Sequence, residues 1–349
     1  MREDKSYCMS SFLMLRTIYN HDITFKDGII PRFFEENEDR EIVTNSIELE
    51  NKLKKEIDAV CNQGKKVALA LSGGIDSAIL AKFMPKGSIA YTFKCIVPGI
   101  DVVDETPVAS MYAKECGLEH KVIEIYWEDF EKYSSLLMKH KGAPIHSIEI
   151  QIYKAAMEAK KDGVDVLIFG ESADVNFGGQ NGLLSKDWTI SEYIDRYSYV
   201  LPYKALKKPI IVNEPFLKYS NDGYIDTHEF NRHAYYCESM GSYQNAMETA
   251  GVELCAPFSK TYLGLPLDYT RIRNGENKYL VREIFKRLYP KFIIPPKTPM
   301  PRPMNEWLKD WEGPTRSEFL PHCTDNMTGD QKWLVWILEQ YLNLIDEEN

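Results

Sequence analysis

The run Val67-Ala68-Leu69-Ala70-Leu71 passes directly into Ser72-Gly73-Gly74-Ile75-Asp76-Ser77, and this junction limits the possible folds more than any other stretch of the chain. A short apolar run without alternation belongs to a strand covered on both faces, as in a parallel sheet. Two glycines after it let the backbone turn sharply and bring several N–H groups toward one point. With Ala78 to Phe83 read as a helix, the loop makes a concave anion site suited to a pyrophosphate. It lacks the Gly-Lys-Ser/Thr ending of a Walker A loop, so it offers no γ-phosphate clamp. Asp76 beside bare phosphate would repel it and makes sense with Mg²⁺ between them. A glycine pair after a strand also serves as a plain connector.

The strand-and-helix unit recurs. Strands are expected over residues 88–97, 120–126 and 164–169, and helices over 48–61, 106–116, 128–140 and 149–161. Such alternation means βαβ crossovers and an α/β fold built on a parallel sheet flanked by helices. Ligands then bind beyond the carboxyl ends of the strands, in the loops after Leu71, Val97 and Phe169. Residues 1–45 read as short strands or loops, 46–180 as the α/β core, and 181–349 as a mainly helical part, with helices over 233–249, 278–288 and 331–344. In the loop after Phe169, Glu171 and Asp174 stand three apart in a glycine-bounded turn, able to face the same cavity as Asp76. Paired carboxylates there suit a metal or a general base; they also suit a helix start.

The chain has 349 residues, with 42 basic and 52 acidic side chains and a net charge of −10. That balance argues against a nucleic-acid partner, which needs a positive field, and the basic run from Lys204 to Lys208 reads as solvated surface. No apolar stretch approaches the roughly 20 residues that span a bilayer, so no membrane partner is expected. Seven scattered cysteines without a CxxC pair support neither a zinc site nor a disulfide framework, and point to the cytoplasm. An oligomer remains open.

The Ser72–Ser77 string resembles the pyrophosphatase-type loop of ATP-dependent adenylating enzymes, which include asparagine synthetase, NAD synthetase and GMP synthetase. Phe169-Gly170-Glu171-Ser172-Ala173-Asp174-Val175-Asn176-Phe177-Gly178-Gly179 resembles the asparagine synthetase signature Ser-Gly-Glu-Gly-Ser/Ala-Asp-Glu-x-Phe-Gly-Gly. Gly251-Val252-Glu253-Leu254-Cys255-Ala256-Pro257-Phe258 is similar to that family's Gly-Val-Glu-x-Arg-x-Pro-Phe, and Asn277-Lys278-Tyr279-Leu280-Val281-Arg282 to its lysine-bearing helix. Asp104-Glu105 and Gly117-Leu118-Glu119-His120 fall in the family's order. The likeness runs from about residue 10 to 310.

The resemblance implies an adenine-nucleotide alpha-hydrolase-like fold and an ATP- and Mg²⁺-dependent, cytoplasmic, amide-forming ligase. Such an enzyme adenylates a carboxylate, releases pyrophosphate and passes the acyl group to ammonia or an amine. It assigns Asp76 and Asp174 to Mg²⁺ and pyrophosphate, and Glu171 and Lys278 to catalysis. Glu171 serves the acyl acceptor, and Lys278 meets charge developing on the α-phosphate; by its own pattern Lys278 is a solvated residue of an amphipathic helix. Nucleotide contacts fall to Leu71, Ser72, Gly73, Gly74, Asp76, Ser77, Cys95, Gly170 and Lys297, with Cys95 acting through its backbone near the adenine. His146 becomes a candidate for the substrate pocket, and His120 and Cys8 read as structural.

Glutamine-dependent members of that family carry a glutaminase domain with a Cys after the initiator Met. Here Arg2 stands there, and about 65 residues precede the phosphate loop. Phe12-Leu13-Met14-Leu15-Arg16-Thr17-Ile18 and Thr24-Phe25-Lys26-Asp27-Gly28-Ile29 resemble the junction between the family's two domains, kept as a remnant. The amine is therefore expected as free ammonia, from a separate glutaminase, or on another substrate. Val175, Ser172 and Ser259-Lys260 depart from the family pattern and put aspartate in doubt as the acid. A lactam-forming or amine-coupling synthetase and a non-catalytic ATP-binding subunit are the rival readings.

Overall fold

Five parallel strands form the central sheet: β1 (Val67–Ala70), β2 (Ile89–Cys95), β3 (Glu119–Ile125), β4 (Val166–Ile168) and β5 (Glu253–Cys255). Their order is β5-β4-β1-β2-β3, and all four pairings are parallel. This computed structural model describes residues 1–36 and 39–347. The chain leaves β1 toward β2 and β3, then returns to the other side of β1 for β4 and β5. The order therefore reverses beside β1, and the carboxyl ends of β1 and β4 open onto a crevice there.

Alternate residues of each strand feed opposite cores. Ala68 and Ala70 face one apolar cluster with Tyr91 and Leu167, while Leu69 and Leu71 face the other with Ala90, Val166 and Ile168. This is why the β1 sequence shows no polar alternation: neither face meets water.

Helices cover both faces. Those used below are α1 (Lys5–Leu15), α2 (Ser46–Cys61), α3 (Ile75–Ala81), α4 (Thr106–Cys116), α5 (Trp127–Lys141), α6 (Ile148–Lys161), α7 (Tyr236–Ala250), α8 (Tyr279–Leu288) and α9 (Gly329–Glu347). Asn45 caps α2, accepting from the Ile47 and Glu48 N–H groups at 3.0 Å, a bond pattern that settles a helix start. Gly117 ends α4 at φ 69°, a conformation that costs an L side chain about 1 kcal/mol. Helix α8 packs on α2 and α3, α7 on α6, and α9 on α1 and α5.

One expectation requires correction. Residues 5–15 are not strands or loops but a helix, with Tyr7 to Leu15 all buried, and Cys8 within it is fully enclosed. Asp4 caps it, accepting from the Tyr7 N–H at 3.0 Å. A helix enclosed on every side carries no polar stripe, so the periodicity that announces surface helices is missing. Strand β5, which the sequence reading did not list, comes from the part read as mainly helical. Short strands occur elsewhere near the amino terminus, where Arg2–Glu3 pairs with Ile23–Thr24 and Glu41–Val43 with Thr261–Leu263. Among the described residues no helix is long and apolar enough to cross a membrane.

Candidate active site

The loop between β1 and α3 is tied by its own hydroxyls. The Ser72 N–H donates to Ser77 Oγ at 3.0 Å, the Gly74 N–H to Ser72 Oγ at 3.1 Å, and the two hydroxyls meet at 3.0 Å. The loop after β4 lies directly against it. A Cβ on Gly170 would stand 2.9 Å from the Ser77 nitrogen and 3.1 Å from the Asp76 carbonyl carbon, so only glycine permits this approach. Gly179 has the same reason: its Cβ would fall 2.1 Å from Asp174 Oδ1.

These contacts bring the carboxylates of two loops to one ammonium. Lys278 Nζ donates to Asp76 at 2.9 and 2.7 Å and lies 2.9 Å from Asp174 Oδ1. Lys297 Nζ is 2.9 Å from Asp174 Oδ2 and donates to the Gly179 carbonyl at 2.9 Å. Lys278 precedes α8 in a left-handed conformation, φ 52°, of a kind that costs on the order of 1 kcal/mol and persists where surroundings enforce it. Its side chain is only 7% exposed, so the solvated reading of this lysine fails.

Burial alone would strip the Lys278 proton, and the Asp76 and Asp174 charges more than reverse that, raising its pKa. Burial lifts the Asp76 carboxyl above its ordinary value despite Lys278. In Asp174 burial is outweighed by Lys278 and Lys297 together, and its pKa falls. Of the pair, Asp174 with two ammonium partners holds the firmer negative charge.

A cavity of about 650 Å³ opens over these groups. Leu71, Ser72, Asp76 and Ser77 line it from the first loop, Gly170, Glu171 and Asp174 from the second, and Lys297 from above. Gly73, Gly74 and Lys278 stand behind that surface. Cys95 is also set back: its buried thiol donates to the Pro301 carbonyl at 3.1 Å, and burial pushes its pKa up to about 12, so it is no nucleophile. His120 bonds Thr92 Oγ1 at 2.8 Å within the sheet.

Glu171 is enclosed in mid-cavity. It accepts from Ser239 Oγ at 2.9 Å, and from the Ser172 N–H and the Tyr243 hydroxyl. Burial raises its pKa against those three donors, and the Asp174 charge adds to the rise.

The same cavity is bounded by a wall that sequence reasoning did not assemble. Arg16, just past the end of α1, donates from Nη1 to His146 Nε2 at 2.7 Å. Its Nη2 donates to Glu238 Oε2 at 2.9 Å and to the Tyr199 hydroxyl. His146 is kept neutral: burial and the charges of Arg16, Arg302 and Lys141 hold its pKa well below the ordinary histidine value. Arg16 and His146 stood in segments already singled out. Glu238, Tyr199 and Arg302 lacked any motif, and only the fold reveals them.

Asp76 and Asp174 fit Mg²⁺ as far as a bare protein site can. They face one cavity, and Asp174 Oδ1 makes no hydrogen bond despite its ion pair. Mg²⁺ usually takes one or two carboxylates and completes its shell with phosphate and water. Among the described residues no group of three or more His, Cys, Asp or Glu side chains could hold a metal, so such an ion would need the phosphate ligands as well.

Glu105 also lines the cavity and was noted in sequence without a role. Burial pushes its carboxyl up to about 7, opposed by the Gly73 N–H it accepts from and assisted by the Asp104 charge. The folded chain thus holds this proton more tightly than the unfolded chain, where the ordinary value is 4.5. Its contribution to stability is complete below pH 4.5 and is lost as pH rises through 7. Glu105→Gln is expected to remove that decline, about 3 kcal/mol, read from urea midpoints across this interval. An unchanged slope would show that Glu105 does not titrate there.

The sequence matches the asparagine synthase family model over residues 48–318. No curated protein matches it. Among solved structures it is similar to the NH3-dependent NAD synthetase of Campylobacter jejuni subsp. jejuni, with 17% identity and a TM-score of 0.26 over 38% of this chain and 60% of that one. The match thus spans less than two thirds of that relative. It is also similar to the U34-tRNA thiolase NcsA of Methanococcus maripaludis, solved with a [4Fe-4S] cluster (16%, TM-score 0.33, 86% of this chain and 79% of that one). A third is the NMN synthetase of Francisella tularensis (13%, TM-score 0.29, 73% and 100%). At such scores these structural likenesses carry nothing about activity. The family match covers most of the chain, including the loops after β1 and β4 and Lys278: the protein belongs to the asparagine synthase family.

Proposed function

We propose that the chain is an ATP- and Mg²⁺-dependent amide-forming ligase that activates a small carboxylic acid as its adenylate and transfers the acyl group to ammonia or an amine. The observation carrying this is the convergence of Asp76, Asp174, Lys278 and Lys297 at one end of a cavity that also encloses Glu171. In the first half-reaction a carboxylate oxygen bonds to the α-phosphorus and pyrophosphate leaves. In the second the amine nitrogen bonds to the acyl carbon and AMP leaves.

Mg²⁺ held by Asp76 and Asp174 would neutralise phosphate charge. Lys278 and Lys297 supply fixed positive charge where the departing pyrophosphate gathers negative charge, and a charge already in position costs no reorganisation. The two loops with their internally bonded hydroxyls form the floor on which the phosphates rest. Glu171, made more basic by burial, takes the proton that the attacking amine must lose.

The roles separate in one experiment. A screen of carboxylic acids for ATP–pyrophosphate exchange identifies the acid, and Glu171→Ala is then measured with it. Exchange is expected to survive this substitution, while amide formation falls about 10² to 10⁴-fold. Failure of every acid to yield pyrophosphate or AMP would remove the ligase reading, and loss of exchange in Glu171→Ala would move Glu171 to the first half-reaction.

A further inference from the structure

The cavity wall around Arg16 and His146 leaves buried hydrogen-bond donors without partners among the described residues. A guanidinium only donates, so His146 Nε2, 2.7 Å from Arg16 Nη1, must be the acceptor of that bond. The neutral ring therefore carries its proton on Nδ1, a tautomer assigned from the network. That Nδ1 has no partner, nor has Arg16 Nε, and both are buried. The unpaired acceptor beside them is Glu238 Oε1, 3.7 Å from Nδ1, too far for a bond. Glu171 already accepts from three donors of its own, Ser239 Oγ, the Ser172 N–H and the Tyr243 hydroxyl.

Arg302 adds to the surplus. It lines the same cavity, and its Nε reaches Asp330 at 3.3 Å, while among the described residues Nη1 and Nη2 have no hydrogen-bond partner. It is held in place by its neighbour: the Pro301 carbonyl accepts from Gln151 Nε2 at 3.0 Å and from the Cys95 thiol at 3.1 Å. Five prolines between residues 295 and 303 stiffen this segment. Within the wall two guanidiniums stand against the one carboxylate of Glu238, because Asp330, which is 60% exposed, lies at the surface.

We propose that this wall binds a second anionic group of the substrate acid, at the end remote from the carboxyl that is activated, and that Arg16 and Arg302 determine the preference. The proposal rests on the ligase reading for the identity of the other end. An anion supplies acceptors to the donors that the protein leaves unpaired and balances the extra guanidinium; an ester or alkyl end would bury those donors unsatisfied. A carboxylate and a phosphonate offer the same chemistry.

Calorimetric titration of the full-length protein without nucleotide tests this with glutarate, adipate, their monomethyl esters and 4-phosphonobutyrate. The dianions are expected to bind about tenfold or more tightly than the monoesters, and Arg302→Gln, at a partly exposed position, to abolish the difference without altering ATP affinity. A tighter phosphonate would assign phosphate-type substrates, a tighter dicarboxylate carboxylate-type ones. Equal binding of diacids and monoesters, no binding of any dianion, or a preference that survives Arg302→Gln would overturn the proposal. A dianion that binds with this preference but never drives pyrophosphate exchange would remove the ligase reading and leave the anion site standing. With an acid that turns over, Arg302→Gln is expected to raise its KM while leaving the KM for ATP unchanged.

Discussion

Replacing Lys278 by Met is expected to lower kcat by about 10² to 10³-fold, measured as AMP release with the acid that the exchange screen identifies. The ammonium bridges Asp76 and Asp174, and no neighbour can stand in for it, since Lys297 reaches only Asp174. The same change leaves two half-buried carboxylates with one ammonium between them. A cost of about 3 kcal/mol in stability is therefore expected, read from urea unfolding. The two effects come apart in Asp76→Asn/Lys278→Met, which removes one charge of each sign: stability recovers in part while kcat stays low. A Lys278→Met enzyme that folds and keeps more than about a tenth of its activity would reduce Lys278 to a counter-ion.

The second large effect lies in the cavity wall around Arg16. Arg16→Met removes the counter-charge of Glu238, whose side chain is 1% exposed. Breaking a buried pair from one side costs about 3 to 5 kcal/mol, a large share of the 5 to 15 kcal/mol that ordinarily holds a domain together. Burial already lifts the Glu238 pKa despite Arg16, and loss of Arg16 lifts it further. Because the folded chain then binds that proton more tightly than the unfolded chain, the deficit should be smaller at acid pH and grow as pH rises through the folded value. The double variant Arg16→Met/Glu238→Met is expected to recover most of the loss. Simple additivity of the two single changes would show that the pair is not coupled.

The sheet and phosphate loop were legible because a strand buried on both faces and a glycine turn leave local marks. Glu171 and Asp174 were legible for the same reason, being three apart on one turn. Lys278 was different: its pattern says surface, and only the family resemblance pointed inward, because what buries it comes from loops some 100 and 200 residues earlier. Helix α1 escaped notice because enclosure on all sides erases the amphipathic signal, and β5 because a strand of three residues is too short to show a period. Of the Arg16–His146–Glu238 wall only His146 was singled out for the pocket, through the family resemblance, and the unit itself could not be read. Its members come from three distant segments, and what makes them a unit is the count of donors against acceptors in space.

Helix α1 also separates kinship from physical integrity. The family match begins at residue 48, yet Tyr7 to Leu15 are packed into the interior against α9, and Arg16 completes the cavity rim. A transplant confined to the matched segment would carry His146, Tyr199 and Glu238 into a new host without Arg16, the guanidinium that bonds all three. The stretch that records kinship is thus shorter than the stretch the folded interior needs.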